Sequence, residues 1–131
     1  MILTFGADGL SGHPDHLAIG ECAAAAFRRA PALAALYTVA VPQSLATRLG
    51  MTQVRAVPDE LIALTVDVMP AWDAKLAAIH CHATQMNSSP ITRASLERQR
   101  AFLGAEHFVC AARRSETDSV ATNFRSPSRP S

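Results

Sequence analysis

The sequence predicts an α/β fold, Rossmann-like, with a mostly parallel sheet flanked by helices. Three observations lead there: short apolar β-rich runs alternate with helical periodicity, Pro and Gly punctuate the changes, and the strongest apolar run is apolar at nearly every position. The 131 residues suffice for one small domain, and 49% apolar against 18% charged side chains is a globular composition rather than a disordered one.

The first run, Ile2–Phe5, reads as a strand that ends in the turn-forming stretch "GADG". From His16 to Ala30 the spacing predicts a helix whose buried face is Ile19, Ala23, Ala26, Phe27 and Ala30, with Arg28 and Arg29 suited to its C-terminal end. Ala35–Val41 is a second strand, stopped by Pro42. A short helix follows, with Ser44 as N-cap and Gly50 as its end. Leu61–Val68 is the clearest strand, expected to be buried on both faces. Pro70–Gln85 and Ser89–Gly104 read as helices and His107–Ala112 as a last strand. From Arg113 the Ser/Arg/Pro-rich residues 113–131 read as a disordered tail.

Composition excludes several functions. A net charge of +1 without a Lys/Arg block removes the electrostatic footprint of a nucleic-acid binder, so no nucleic-acid partner is expected. No apolar run approaches the ~20 residues that span a bilayer, and the first residues lack the basic and apolar regions of a secretory signal. Cys22, Cys81 and Cys110 are odd in number and lie in apolar contexts, as reduced, buried thiols of a cytoplasmic protein would. No glycine-rich phosphate loop follows any strand, which argues against a nucleotide-binding module.

The chemistry concentrates in "GLSGHPDHLAIGE", Gly9–Glu21, where a loop passes into a helix at the functional edge of the sheet. Pro14 keeps His13 extended while His16 enters the first helical turn, so the two imidazoles can face one point from different backbone conformations. Asp15 can hydrogen-bond a histidine or cap the helix. On spacing alone two readings stand: part of a metal site, or an N-terminal cap with two exposed histidines. The "HCH" of His80–His82 is weaker, because neighbouring helical positions point about 100° apart. Trp72 reads as a core or rim aromatic, His80 as a surface histidine, Asp67 as a turn or cap residue, and Asp73 and Lys75 as a solvated helix face.

"TFGADGLSGHPDH" resembles the second signature, D-G-x-x-G-H-P-D-H, of the PIG-L/LmbE-like zinc-dependent N-deacetylases. "VDVMPAWDAKLAAIHCHATQ" resembles a later segment of that family and "GAEHFVCA" its closing strand, so the likeness covers about residues 2–112, a partial domain. The resemblance implies hydrolysis of the acetamide of an N-acetylglucosamine-type substrate. It implies His16 as a zinc ligand, His13 as the catalytic group that stabilises the oxyanion or protonates the leaving amine, and Asp15 as its orienting partner. It places His82 on the substrate side and gives Gln85 a structural role. The family's first signature, H-P-D-D-E, which would bring the remaining zinc ligands and the general base, has no counterpart. The expectation is therefore the C-terminal portion of a deacetylase, beginning inside a strand, with an incomplete zinc site and little activity alone. Either a missing N-terminal part or a partner chain would complete it; the alternative is a non-catalytic remnant or interaction protein of the same fold.

Overall fold

The structure, a computed structural model, describes residues 1–86, 91–114 and 120–122. It is α/β, with the strands β1 (Ile2–Thr4), β2 (Ala35–Ala40), β3 (Leu64–Asp67), β4 (Ala105–Arg114) and β5 (Val120–Thr122). The helices are α1 (Gly9–Gly12), α2 (Pro14–Arg29), α3 (Gln43–Leu49), α4 (Trp72–His80), α5 (Ala83–Met86) and α6 (Leu96–Leu103). Hydrogen bonding orders the sheet β1-β2-β4-β3, with β5 added to β4. β1 and β2 are parallel, Ile2 opposite Leu36, whereas β2 and β4 are antiparallel, Ala40 opposite His107. The sheet is thus mixed, and the expected parallel character holds for β1 and β2. None of the described helices is long and apolar enough to cross a membrane.

The chain divides into two compact units, residues 1–64 with 107–131, and residues 65–106. In the first, side-chain alternation along β2 builds a core on each face of the sheet. Leu36 packs with Ala24 and Phe27 of α2 and with Ala112, and Ala35 and Tyr37 pack with Phe108 on the opposite face. A register shift between Leu36 and Tyr37 leaves Ala111 as an extra residue of β4, so both it and Ala112 join the cluster under α2. The Arg114 guanidinium donates to the carbonyl oxygens of Phe27 and Arg28 and stands 4.9 Å over the Phe27 ring, closing the C-terminal end of α2.

Two expectations shift here. The buried face of α2 is Gly20, Ala24 and Phe27, while Ile19 is 53% exposed and Ala26 is exposed. The cause is close packing: a Cβ on Gly20 would stand 2.7 Å from the Phe5 carbonyl oxygen, so the helix turns its glycine toward the strand and carries Ile19 outward. α3 is capped by Pro42, not Ser44; the Ser44 N–H is taken by Asp59 Oδ1 at 3.0 Å, and Gly50 ends the helix in the left-handed conformation as expected.

In the second unit Asp67 has the expected turn role, its Oδ1 accepting the Met69 N–H at 2.9 Å. Pro70 lies in a 3₁₀ turn, Met69–Ala71, that leads into α4, and Trp72 is buried. The long helix expected to Gln85 is broken at Cys81 and His82 into α4 and α5. Lys75, expected to be solvated, instead donates to Leu103 O and Glu106 Oε1, each at 2.9 Å. α6 starts late, at Leu96, because the Ser95 hydroxyl accepts the Arg98 N–H and caps it there; the Ser89–Pro90 start falls outside the described residues.

Three further corrections concern burial and length. β3 is half-buried at Leu64 and exposed from Thr65 to Asp67, not buried on both faces. Cys22 and Cys81 are exposed and Cys110 is half-buried, so an apolar neighbourhood in sequence did not mean burial. β4 extends through Arg114, held by backbone pairing to β2 and by the Arg114 N–H to Ala34 O bond.

Candidate functional site in the loop after the first strand

The loop from Phe5 to His16 lies in the first unit, between β1 and α2. Asp8 turns the chain: its Oδ1 accepts the Leu10 N–H at 3.0 Å, capping the single turn α1. Gly9, Leu10 and Gly12 all have positive φ, 62°, 65° and 78°. Glycine takes that region freely, whereas Leu10 is strained there by roughly 1–3 kcal/mol, a cost typical of functional loops. The fold sustains it through backbone bonds from both sides, Gly12 N–H to Asp8 O at 3.0 Å and Arg55 N–H to Leu10 O at 2.7 Å.

This tight turn brings His13, Asp15 and His16 together. The two imidazoles lie 5.0 Å apart, centroid to centroid, and are tilted by 41°. His13, extended before Pro14, is the N-cap of α2. His13 is thus the cap that the spacing allowed, and its ring also stands beside that of His16.

The hydrogen bonds assign each ring its tautomer. Nδ1 of His16 lies 3.0 Å from the Gly9 carbonyl oxygen, which can only accept, so Nδ1 carries the proton and Nε2 keeps its lone pair. In His13 the opposite holds. Its Nδ1 accepts the Asp15 N–H at 3.2 Å, so the neutral ring carries its proton on Nε2. The Asp15 carboxylate is 3.9 Å from that Nδ1 and 89% exposed, and the backbone N–H is what orients His13. His16 is also held by stacking on Phe5 and is the more enclosed of the two histidines.

A lone pair on one imidazole and an N–H on its neighbour can take a Lewis acid and a carbonyl oxygen, respectively. His16 has the form of a metal-ligating histidine, its second nitrogen fixed by a backbone carbonyl. A zinc site needs about three protein ligands, however. Among the described residues no group of three or more His, Cys, Asp or Glu side chains could hold a metal ion. The residues present fit one ligand of such a site and do not fit the ion by themselves.

His82 belongs to the second unit and is exposed beyond the end of α4, its N–H bonded to Ile79 O at 3.0 Å. The Gln85 side chain is outside the described set. Sequence reasoning missed Phe5, Asp8 and Arg55 as members of this neighbourhood. The D-G pair at Asp8–Gly9 was a usable turn signal; nothing near Arg55 in sequence points to the loop.

No family model and no solved structure matches the chain. Among curated proteins it is similar to 1D-myo-inositol 2-acetamido-2-deoxy-alpha-D-glucopyranoside deacetylases. The one from Gordonia bronchialis is 27% identical over 83% of this chain and 46% of its own length. That from Saccharopolyspora erythraea is 32% identical over 66% of this chain and 33% of its own. A third, from Mycolicibacterium gilvum, is 29% identical over 69% of this chain and 38% of its own. The chain thus spans between a third and a half of the length of the relatives it matches.

Proposed function

We propose that this chain carries the histidine half of an N-deacetylase site acting on an N-acetylglucosamine-type substrate. The observation that supports the reading best is the pair of opposite tautomers, a lone pair at His16 Nε2 and an N–H at His13 Nε2. Hydrolysis of an acetamide adds water to the carbonyl carbon, places negative charge on its oxygen, and ends by breaking the C–N bond with a proton delivered to the amine. His13 Nε2–H donates to that oxygen as charge develops, and the departing nitrogen takes the proton that the base has removed from the attacking water. The Asp15 N–H holds the ring in the donating tautomer. His16 is one metal ligand. The other ligands, and a base to activate water, come from outside the described residues.

A second reading, a non-catalytic interaction protein of the same fold, is favoured by one observation: the absence of a three-ligand group among the described residues. One experiment separates the two. The chain is purified alone and co-expressed with the part of the Gordonia bronchialis relative lying outside the matched segment, and bound zinc and acetate release from the N-acetylglucosaminide of inositol are measured. Zinc and turnover that arise in the pair and vanish with His16→Ala support the deacetylase reading. A stable pair without zinc or turnover leaves the interaction protein.

A further inference from the structure

One face of α2 packs on the strands through Gly20, Ala24 and Phe27. The opposite face is exposed. Asp15, Ala18, Ile19, Cys22, Ala26 and Arg29 all lie on it, within about 100° of the helix circumference at 100° per residue. The stripe is apolar between charged ends, with Ile19 53% exposed and the Asp15 side chain 89% exposed. It is also symmetric about Cys22. Asp15 stands seven residues before that cysteine and Arg29 seven after it, while Ile19 stands three before and Ala26 four after.

We propose that this face docks a second copy of the chain, the two α2 helices lying antiparallel about a two-fold axis at Cys22. A two-fold contact needs a patch complementary to itself, and the stripe has that property. The axis sets Asp15 of each copy opposite Arg29 of the other and Ile19 of each against Ala26 of the other. A parallel pairing would set Asp15 against Asp15 and Arg29 against Arg29, so charge selects the antiparallel one. Small side chains at and beside the axis let the helices approach to about 8 Å. The ion pairs are exposed and fix the register more than they add affinity. One helix face per copy covers less than the roughly 800 Å² per partner of a standard interface, so the dimer is weak and concentration-dependent. The proposal is independent of the deacetylase reading, yet the contact reaches the candidate site. Asp15 lies between His13 and His16, its carboxylate 3.9 Å from His13 Nδ1, and Arg29 of the second copy arrives there.

Analytical ultracentrifugation of the whole chain, reduced and at low salt, reads the association between about 10 and 500 μM. A monomer–dimer equilibrium is expected. Arg29→Asp and Asp15→Arg should each weaken it about tenfold, since each variant sets like charges opposite one another. Mixed in equal amounts, the two variants should associate again, one stripe then being basic at both ends and the other acidic. Ile19→Glu should weaken the dimer of the otherwise unchanged chain. All three positions are exposed, and circular dichroism checks that the helix content is kept. Diamide, which oxidises two thiols to a disulfide, should link copies through Cys22 to Cys22 in peptide mass maps, although Cys81 is exposed as well. A chain that stays monomeric throughout that range leaves the face to a different protein and overturns the proposal. A dimer indifferent to the charge reversals, variants that fail to associate on mixing, or linkage through Cys81 instead of Cys22 overturns it too. None of these outcomes touches the deacetylase reading, which is tested by zinc and acetate release.

Discussion

The His16 imidazole lies flat on the Phe5 ring, with centroids 3.8 Å apart and planes 5° from parallel. Phe5 directly follows β1, so the sheet holds one ring and that ring holds the other. Phe5→Leu keeps the bulk and removes the aromatic face. It should destabilise the protein by about 1 kcal/mol in urea denaturation and broaden the His16 ring signals. Unchanged His16 signals would show that the Gly9 carbonyl alone orients the ring.

The two histidines should differ in tautomer. Long-range proton–nitrogen spectra of ¹⁵N-histidine-labelled protein, taken where both rings are neutral, are expected to show the proton on Nδ1 in His16 and on Nε2 in His13. The same tautomer in both rings would remove the basis for assigning them different roles.

Gly20→Ala tests how closely α2 packs on the strand end. The new methyl would be 2.7 Å from Phe5 O and 3.1 Å from Gly6 O, both main-chain atoms. Alanine improves helix propensity by about 1 kcal/mol, but overpacking of this kind costs about 1–3 kcal/mol, and here no flexible side chain can yield. A net loss of stability, with perturbed His16 signals one turn away, is the expected result of urea denaturation and NMR.

Stability should fall in mild acid through His107. Burial pushes its pKa below the ordinary 6.5, with the Asp59 carboxylate opposing the shift. Because the unfolded chain takes up this proton more readily than the folded one, the contribution is complete above pH 6.5 and is lost as pH falls below it. His107→Gln should flatten that decline. Asp59→Asn should deepen it, since the carboxylate that favours the charged ring is gone. The Asp59 carboxyl is itself held below 3.8 by hydrogen bonds from the Ser44 hydroxyl and N–H, so its own contribution fails only in stronger acid. Denaturation midpoints across the acid range read all three.

What could be read in advance was local. Pro14 fixed His13 outside the helix and His16 inside it, Gly50 marked the end of α3, and Asp67 turned the chain, each because one residue's backbone or side chain decides the outcome. The errors came from tertiary contacts that no window of sequence contains. Ile19 is a better core residue than Gly20, yet the helix presents Gly20 because Phe5 O leaves no room for a side chain. Ser44 is the better cap by type, yet Asp59, fifteen residues on, takes its N–H. At the site, the histidine pair was legible and its tautomers were not, since they depend on Gly9 O and the Asp15 N–H. Arg55 was silent because only the folded loop brings it over Gly12.

The pairing of β2 with β4 has a consequence for how the protein is made. These neighbouring strands, Ala35 opposite Arg113 and Ala40 opposite His107, lie roughly seventy residues apart in the chain, a separation that slows folding through the entropy of loop closure. During synthesis β1, β2 and the histidine loop all leave the ribosome long before β4 exists. One edge of β2 must wait, open and apolar, for its partner. The early product of translation therefore exposes an unpaired strand edge, and the interval before Arg114 emerges is when aggregation has its chance.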